Sequence, residues 1–123
     1  MTSAARIDVD GPDVDMDNAQ RLLYRGEPFT GEVAEYQSGH LISLDEYTEG
    51  VLNGLSREWY QDGTLRSEGI VRDGRAAGEF KEWHPNGILK SRKFFDNTLA
   101  SLREEETWDD HGVLLTSWRR DDV

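Results

Sequence analysis

The sequence predicts an all-β fold: an antiparallel meander of β-hairpin repeats forming one extended twisted sheet. Three observations predict it. Gly39, Gly63, Gly87 and Gly112 follow one another at intervals of 24, 24 and 25 residues, each two residues before a leucine: Leu41, Leu65, Leu89 and Leu114. A fixed period in this range marks a repeat array. Each glycine closes a turn sequence, Gln37-Ser38-Gly39, Gln61-Asp62-Gly63, Pro85-Asn86-Gly87 and Asp109-Asp110-His111-Gly112. Asp-Gly and Asn-Gly steps are hairpin signals because both residues tolerate positive φ. The flanking segments are short and bounded by turn residues, as strands are.

The elements follow in order. Residues 1–20 are polar, with Asp8, Asp10, Asp13, Asp15 and Asp17 set among Val9, Val14 and Met16 around Gly11-Pro12. They read as a flexible acidic N-terminal arm. A repeat domain follows over residues 21–123, with about four units of 23–25 residues. Its lead-in carries Leu22, Leu23, Tyr24 and Phe29 as apolar anchors. The second unit reads as a strand from Gly54 to Tyr60 and a return from Thr64 to Val71; the third as Gly78 to His84 and Ile88 to Phe95. The first turn is a residue shorter, and the fourth unit is degenerate, with Ser101 in place of its opening glycine.

Alternate residues of a strand share a face. The return strands therefore gather Leu41, Leu65, Leu89 and Leu114, then Ser43, Ser67, Ser91 and Thr116, then Tyr47, Val71 and Phe95, with Trp118 near the equivalent place. The outgoing strands place Tyr36, Trp59 and Trp83 five residues after an opening glycine, and Trp108 at a neighbouring position. The expectation is a leucine ridge and an aromatic ridge forming a shared apolar spine. Gly31, Gly54 and Gly78 would let a neighbour's ring lie on bare backbone.

The net charge is −11. Residues 1–20 contribute −4 and residues 96–112 contribute −5, while 21–95 sum to −2 and 113–123 to zero. Such a field disfavours nucleic acid and anionic membranes and favours basic partners. Charge at the sheet edges also suppresses edge-to-edge pairing without any partner. There are no cysteines, which removes disulfides and thiolate metal sites and fits a reducing compartment. No apolar run reaches the ~18 residues of a membrane span, and the first residues lack a signal-peptide pattern. A cytoplasmic protein is expected.

Two adjacent units carry a family signature. Gly54-Leu-Ser-Arg-Glu-Trp-Tyr-Gln-Asp-Gly-Thr-Leu-Arg-Ser-Glu and Gly78-Glu-Phe-Lys-Glu-Trp-His-Pro-Asn-Gly-Ile-Leu-Lys-Ser resemble the MORN family of repeats. More closely, they resemble the MORN-variant repeat of bacterial YwqK-type antitoxin-like proteins. The resemblance covers residues 22 to about 118. It implies a MORN-like sheet of hairpins. In function it implies either an antitoxin or immunity protein that binds a toxic enzyme, or a scaffold. The motif residues are structural, so no site transfers with them.

Catalytic chemistry finds no context. Glycoside hydrolysis needs two facing carboxylates in a pocket, and the pattern offers acids without one. His40, His84 and His111 each sit beside a turn, about 10 Å apart if the turns share an edge, too far for one metal ion. They read as solvent-facing. Asp8 to Asp15 lacks the order and the closing Glu of a calcium loop. No glycine cluster opens a helix to cradle phosphate. Trp59, Tyr60 and Trp83 with Arg57, Arg66 and Lys81 suggest base stacking, but the net charge opposes it and core packing accounts for the tryptophans. The expectation is a non-enzyme with no cofactor and no metal.

Surface recognition remains. Tyr60 and His84 share one repeat position facing away from Trp59 and Trp83, while Tyr36 stays unassigned. Glu104, Glu105, Glu106, Asp109 and Asp110 form an acidic rim suited to steering a basic protein. The leading reading is an antitoxin or immunity-type protein that neutralises a toxin, expected to be basic, through a sheet face and this rim. The alternative is a MORN-like structural or adaptor module. The binding face and the oligomeric state stay open.

Overall fold

The computed structural model describes residues 5–96 and 101–120. Its strands are β1 (Ala5–Asp8), β2 (Val14–Met16), β3 (Leu22–Tyr24), β4 (Glu27–Pro28), β5 (Gly31–Gln37), β6 (His40–Thr48), β7 (Val51–Trp59), β8 (Leu65–Arg72), β9 (Arg75–Trp83), β10 (Leu89–Phe95), β11 (Leu102–Trp108) and β12 (Leu114–Arg119). Nine form one sheet in the order β1-β5-β6-β7-β8-β9-β10-β11-β12, and β2-β3-β4 form a second, small sheet. From β5 to β12 every neighbour is antiparallel and consecutive, which is the expected meander.

Turn chemistry sets the repeat. In the second, third and fourth units one hydrogen-bond pattern closes the hairpin. Tyr60 N donates to Thr64 O and Gly63 N to Tyr60 O, His84 N to Ile88 O and Gly87 N to His84 O, and Asp109 N to Val113 O and Gly112 N to Asp109 O, all at 2.8–3.1 Å. The first unit is shorter because Gln37 pairs directly with His40. Its two central residues, Ser38 (φ 50°) and Gly39 (φ 80°), both lie in the left-handed region that two-residue hairpins of this type require.

The segment expected as a flexible arm contains β1 and β2 over residues 5–8 and 14–16. β1 adds to the large sheet in parallel with β5, setting Ile7 opposite Val33, and Val9 N donates to Ala34 O at 2.8 Å. The reason is visible in the chain. Arg6-Ile7-Asp8-Val9-Asp10 alternates with a period of two, and its apolar side is buried while its acids face water.

The core lies at this end of the sheet. Ile7, Leu22, Phe29 and Val33 form the buried cluster, with Val9, Val14, Tyr24 and Tyr47 packed on it. The small sheet is thus a second layer over one face of β5 and β6. It is tied at the β6–β7 turn, where Leu22 N donates to Gly50 O and Gly50 N to Phe29 O. A Cβ on Gly50 would stand 2.9 Å from Leu22 O, so this anchor demands glycine.

The apolar spine expected along the repeats is not the core. The aromatic and leucine ridges are cross-strand partners, Tyr36–Leu41, Trp59–Leu65, Trp83–Leu89 and Trp108–Leu114. Yet Tyr36 is 42% and Leu114 51% exposed, and the other six are half-buried. A single sheet layer leaves such pairs open to water. The opening glycines are also used differently from expectation. Gly31 does receive the Phe29 ring, but Gly54 faces the Glu46 carboxylate. The closest ring contact is at Gly69, over which the directly opposite Phe80 lies.

Candidate functional site

Register builds the site. Residues directly opposite across strands share a face, and one such row runs without a break over eight strands: Glu35, Ser43, Glu58, Ser67, Glu82, Ser91, Thr107 and Thr116. The next row on that face is Val33, Asp45, Ser56, Gly69, Phe80, Lys93, Glu105 and Trp118. The opposite face carries Ala34, Leu44, Arg57, Glu68, Lys81, Arg92, Glu106 and Ser117.

The two faces differ in charge. Across its two rows the first face sets five carboxylates, Glu35, Asp45, Glu58, Glu82 and Glu105, against the single Lys93. Across its own two rows the second face sets Arg57, Lys81, Arg92 and Arg119 against Glu32, Glu46, Glu68, Glu79, Glu104 and Glu106. It is laced by ion pairs. Arg92 Nε donates to Glu79 at 2.6 Å, and its Nη1 lies 3.5 and 3.4 Å from Glu104 and Glu106. The Arg92 guanidinium foremost holds the Glu79 carboxyl below its usual range.

The acidic row is ordered by hydroxyls. Ser67 Oγ donates to Glu58 at 3.1 Å and Ser91 Oγ to Glu82 at 2.9 Å. Ser67 and Ser91 are the buried polar residues among those described, so these bonds satisfy groups that would otherwise be costly. Asp45 accepts from Ser56 Oγ at 2.5 Å. Burial foremost, and then the Glu58 charge, push its carboxyl up.

Beside this row every hairpin carries one bulge. The ladder shifts between Glu35 and Tyr36, Glu58 and Trp59, Leu89 and Ser91, and Thr107 and Trp108. The extra residues are Ile42, Arg66, Lys90 and Leu115, and a bulge re-aims its side chains. Two hollows of equivalent make-up result, two units apart. One, of about 240 Å³, is lined by Glu35, Ile42, Ser43, Glu58, Tyr60 and Arg66 among others. The other, of about 470 Å³, is lined by Glu82, His84, Lys90, Ser91, Lys93, Glu105, Thr107, Asp109, Asp110 and Leu115 among others. Both are open and shallow, with mixed charge.

The residues singled out from the sequence land in different roles. Tyr60 and His84 are equivalent, as expected, but they tie units together. Tyr60 Oη donates to Trp83 O at 2.8 Å, and His84 Nε2 to Trp108 O at 2.8 Å. Gln61 to Gln37 and Asn86 to Asp110 add further bonds one repeat apart. His84 is therefore half-buried rather than solvent-facing, while His40 and His111 are exposed. The acidic rim is split between faces. Glu104 and Glu106 lie on one side, paired with Arg92 and, for Glu104, with Arg119 at 3.6 Å. Glu105 lies on the other, 3.9 Å from Lys93. Asp109 serves its turn: the Val113 N–H foremost, and also the His111 N–H, hold its carboxyl below the usual range. Asp110 stays exposed. The large hollow gathers His84, Glu105, Asp109 and Asp110, whereas Tyr60 belongs to the smaller one.

Glu35, Glu58 and Glu82 were missed at the sequence level, although a signal existed. In three units a glutamate directly precedes the aromatic: Glu35-Tyr36, Glu58-Trp59 and Glu82-Trp83. Reading aromatics alone hid it.

Consecutive hairpins of one pattern in a single sheet define a repeat protein. The family model described as the MORN repeat variant matches residues 52–73 and 77–97, which are the second and third units. The match covers about a third of the chain, and it shows these two units to be similar to MORN-variant repeats. No curated protein and no solved structure matches the chain.

Proposed function

We propose that this module recognises a basic protein on its carboxylate-bearing face, and that it is an immunity-type antitoxin covering a toxin's working surface. The observation that carries the reading is the unequal pairing of charge on the two faces, five carboxylates with one lysine on the first against six carboxylates with four cations on the second, where Arg92 pairs with three of them. A rigid sheet spreads such a contact over several units, and complementary charge speeds encounter. On this reading the protein acts by occlusion and needs no catalytic group or cofactor of its own.

The test is affinity capture from the native lysate at low and high salt, with the wild-type chain and with Glu58→Gln/Glu82→Gln. The expected result is one basic protein, retained at low salt, weakened at high salt and lost with the double variant. Expressed alone, that protein should arrest growth, and co-expression of the chain should relieve the arrest. A partner that ignores both salt and the double variant would move the site to the other face, where Leu55, Ile70 and Ala77 line a hollow of about 380 Å³, and would favour an adaptor role. A captured protein without toxicity would remove the antitoxin reading.

A further inference from the structure

Each hairpin sets one residue of its outgoing strand beside the bulge residue of its return strand. In the second unit these are Glu58 and Arg66, and in the third Glu82 and Lys90, an acid with a cation each time. In the fourth they are Thr107 and Leu115, both uncharged. The first unit breaks the match, because Glu35 is set beside Ile42. The fold thus supplies a cation beside Glu58 and Glu82 but not beside Glu35.

No neighbouring element makes up for it. Arg6 is held by Glu32 at 3.2 Å. After β1 the chain brings Val9 alongside Glu35, since Val9 N donates to Ala34 O. Among the described residues nothing forms an ion pair or a side-chain hydrogen bond with the Glu35 carboxylate, and the Ser43 hydroxyl opposite it has no partner, unlike those of Ser67 and Ser91. On the other side of Ser43 stands Glu58, whose Oε1 accepts from Ser67 while Oε2 stays open. Glu35, Ser43 and Glu58 therefore follow one another over β5, β6 and β7, and with Ile42 they line the hollow of about 240 Å³.

We infer that this hollow takes the ε-ammonium of a lysine from the partner protein, held between Glu35 and Glu58 above Ser43. Three acceptors on three adjacent strands suit a compact ammonium with three donors, whereas a guanidinium is a planar fork that prefers one carboxylate. A second guanidinium also finds its stacking place taken, because Arg66 already lies over the Tyr60 ring in this hollow, 5.7 Å from its centroid. Ile42 offers an apolar contact to the methylene stem. The inference rests on the reading of this face as the contact for a basic protein, and it names the side chain and the place.

Titration of the ¹⁵N-labelled full chain with Nα-acetyl-lysine methylamide at low salt tests it. The amides of Glu35, Ser43 and Glu58 should shift and saturate, and Nα-acetyl-arginine methylamide should bind several-fold more weakly. Glu35→Gln should weaken the lysine probe at least ~10-fold, as for loss of a charged hydrogen-bond partner. Ile42→Lys places in the first unit the cation that Lys90 brings to the third, and should exclude the probe. If Ile42→Lys fails to fold, Glu35→Gln decides, since Glu35 is exposed. Unsaturating shifts spread over all acidic residues, equal or tighter binding of the arginine probe, or indifference to Glu35→Gln would each overturn the site. The face itself is judged separately by the captured basic protein. If Glu58→Gln/Glu82→Gln releases that protein and Glu35→Gln does not weaken it, the lysine anchor fails and the face stands. If the lysine probe binds here and no basic protein is captured, the face reading fails and the hollow stands as a lysine site.

Discussion

The two ends of the large sheet are built from similar hairpins but held by different forces. At the β1–β6 end a second layer buries Ile7, Leu22, Phe29 and Val33 in one cluster, and Ala34 and Leu44 are buried on the opposite face. Beyond Ala77 no described hydrophobic residue reaches that burial. There the sheet stands as a single layer, held by its ladder, by half-buried aromatic–leucine pairs and by the ion pairs around Arg92. Repeat identity therefore does not set local stability. What covers the hairpin does.

The largest expected effect would break the covered end. Phe29→Ala should cost ~3–5 kcal/mol, as for a fully buried ring, read from urea unfolding; a loss under ~1 kcal/mol would mean that the second layer does not hold the core. Trp83→Ala should cost roughly half of that range, because the ring is half-buried beside Leu89 and loses correspondingly less contact and area. Equal losses at the two sites would erase the contrast.

Arg92→Gln should cost less still, ~1 kcal/mol or below, since its partners Glu79, Glu104 and Glu106 are substantially exposed and such pairs are screened. Its mark should instead be local: faster amide exchange in β10–β12 with little change in β5–β6. A uniform change across the sheet would contradict the division. The Arg92 contribution should fade with acid. The folded Glu79 carboxyl is lowered, so the stability it adds is present above the unfolded value near 4.5 and is lost as pH falls through the folded one.

Asp45 sharpens the comparison with the opposite sign. Its folded carboxyl is raised, chiefly by burial, so stability is fullest below the unfolded value near 3.8 and is lost as pH rises through the folded one. Asp45→Asn should therefore raise the neutral-pH melting temperature slightly, and the gain should vanish in acid. A gain independent of pH would point to packing rather than charge.

Much of the fold was legible in the chain. The glycine period, the turn dipeptides and the alternation located every hairpin from β5 to β12. The recurring positions also lined up Ser67 and Ser91, which do fall in one cross-strand row. The count put them on the face of Leu65 and Leu89, whereas the bulge sets Trp59–Leu65 and Trp83–Leu89 one pair along, on the opposite face. The carboxylates opposite them were harder to see, because cross-strand register depends on the bulge in each hairpin, and one extra residue is invisible to a count from the turn. Tyr60 and His84 were found as equivalent positions, but their bonds to the next unit's carbonyl require knowing which turns stand side by side.

By itself the sequence determined the repeat, its turns and the acidic balance, because these rest on local backbone preference and on summed charge. Tertiary structure alone decided that the acidic N-terminal segment becomes β1 and β2, since Ile7 and Val14 needed Val33, Leu22 and Phe29 to bury against. It also decided which acids stay open on a face and which are neutralised by a neighbouring strand. Burial and pairing depend on what lies across space, and a linear pattern records only which residues are able to take part.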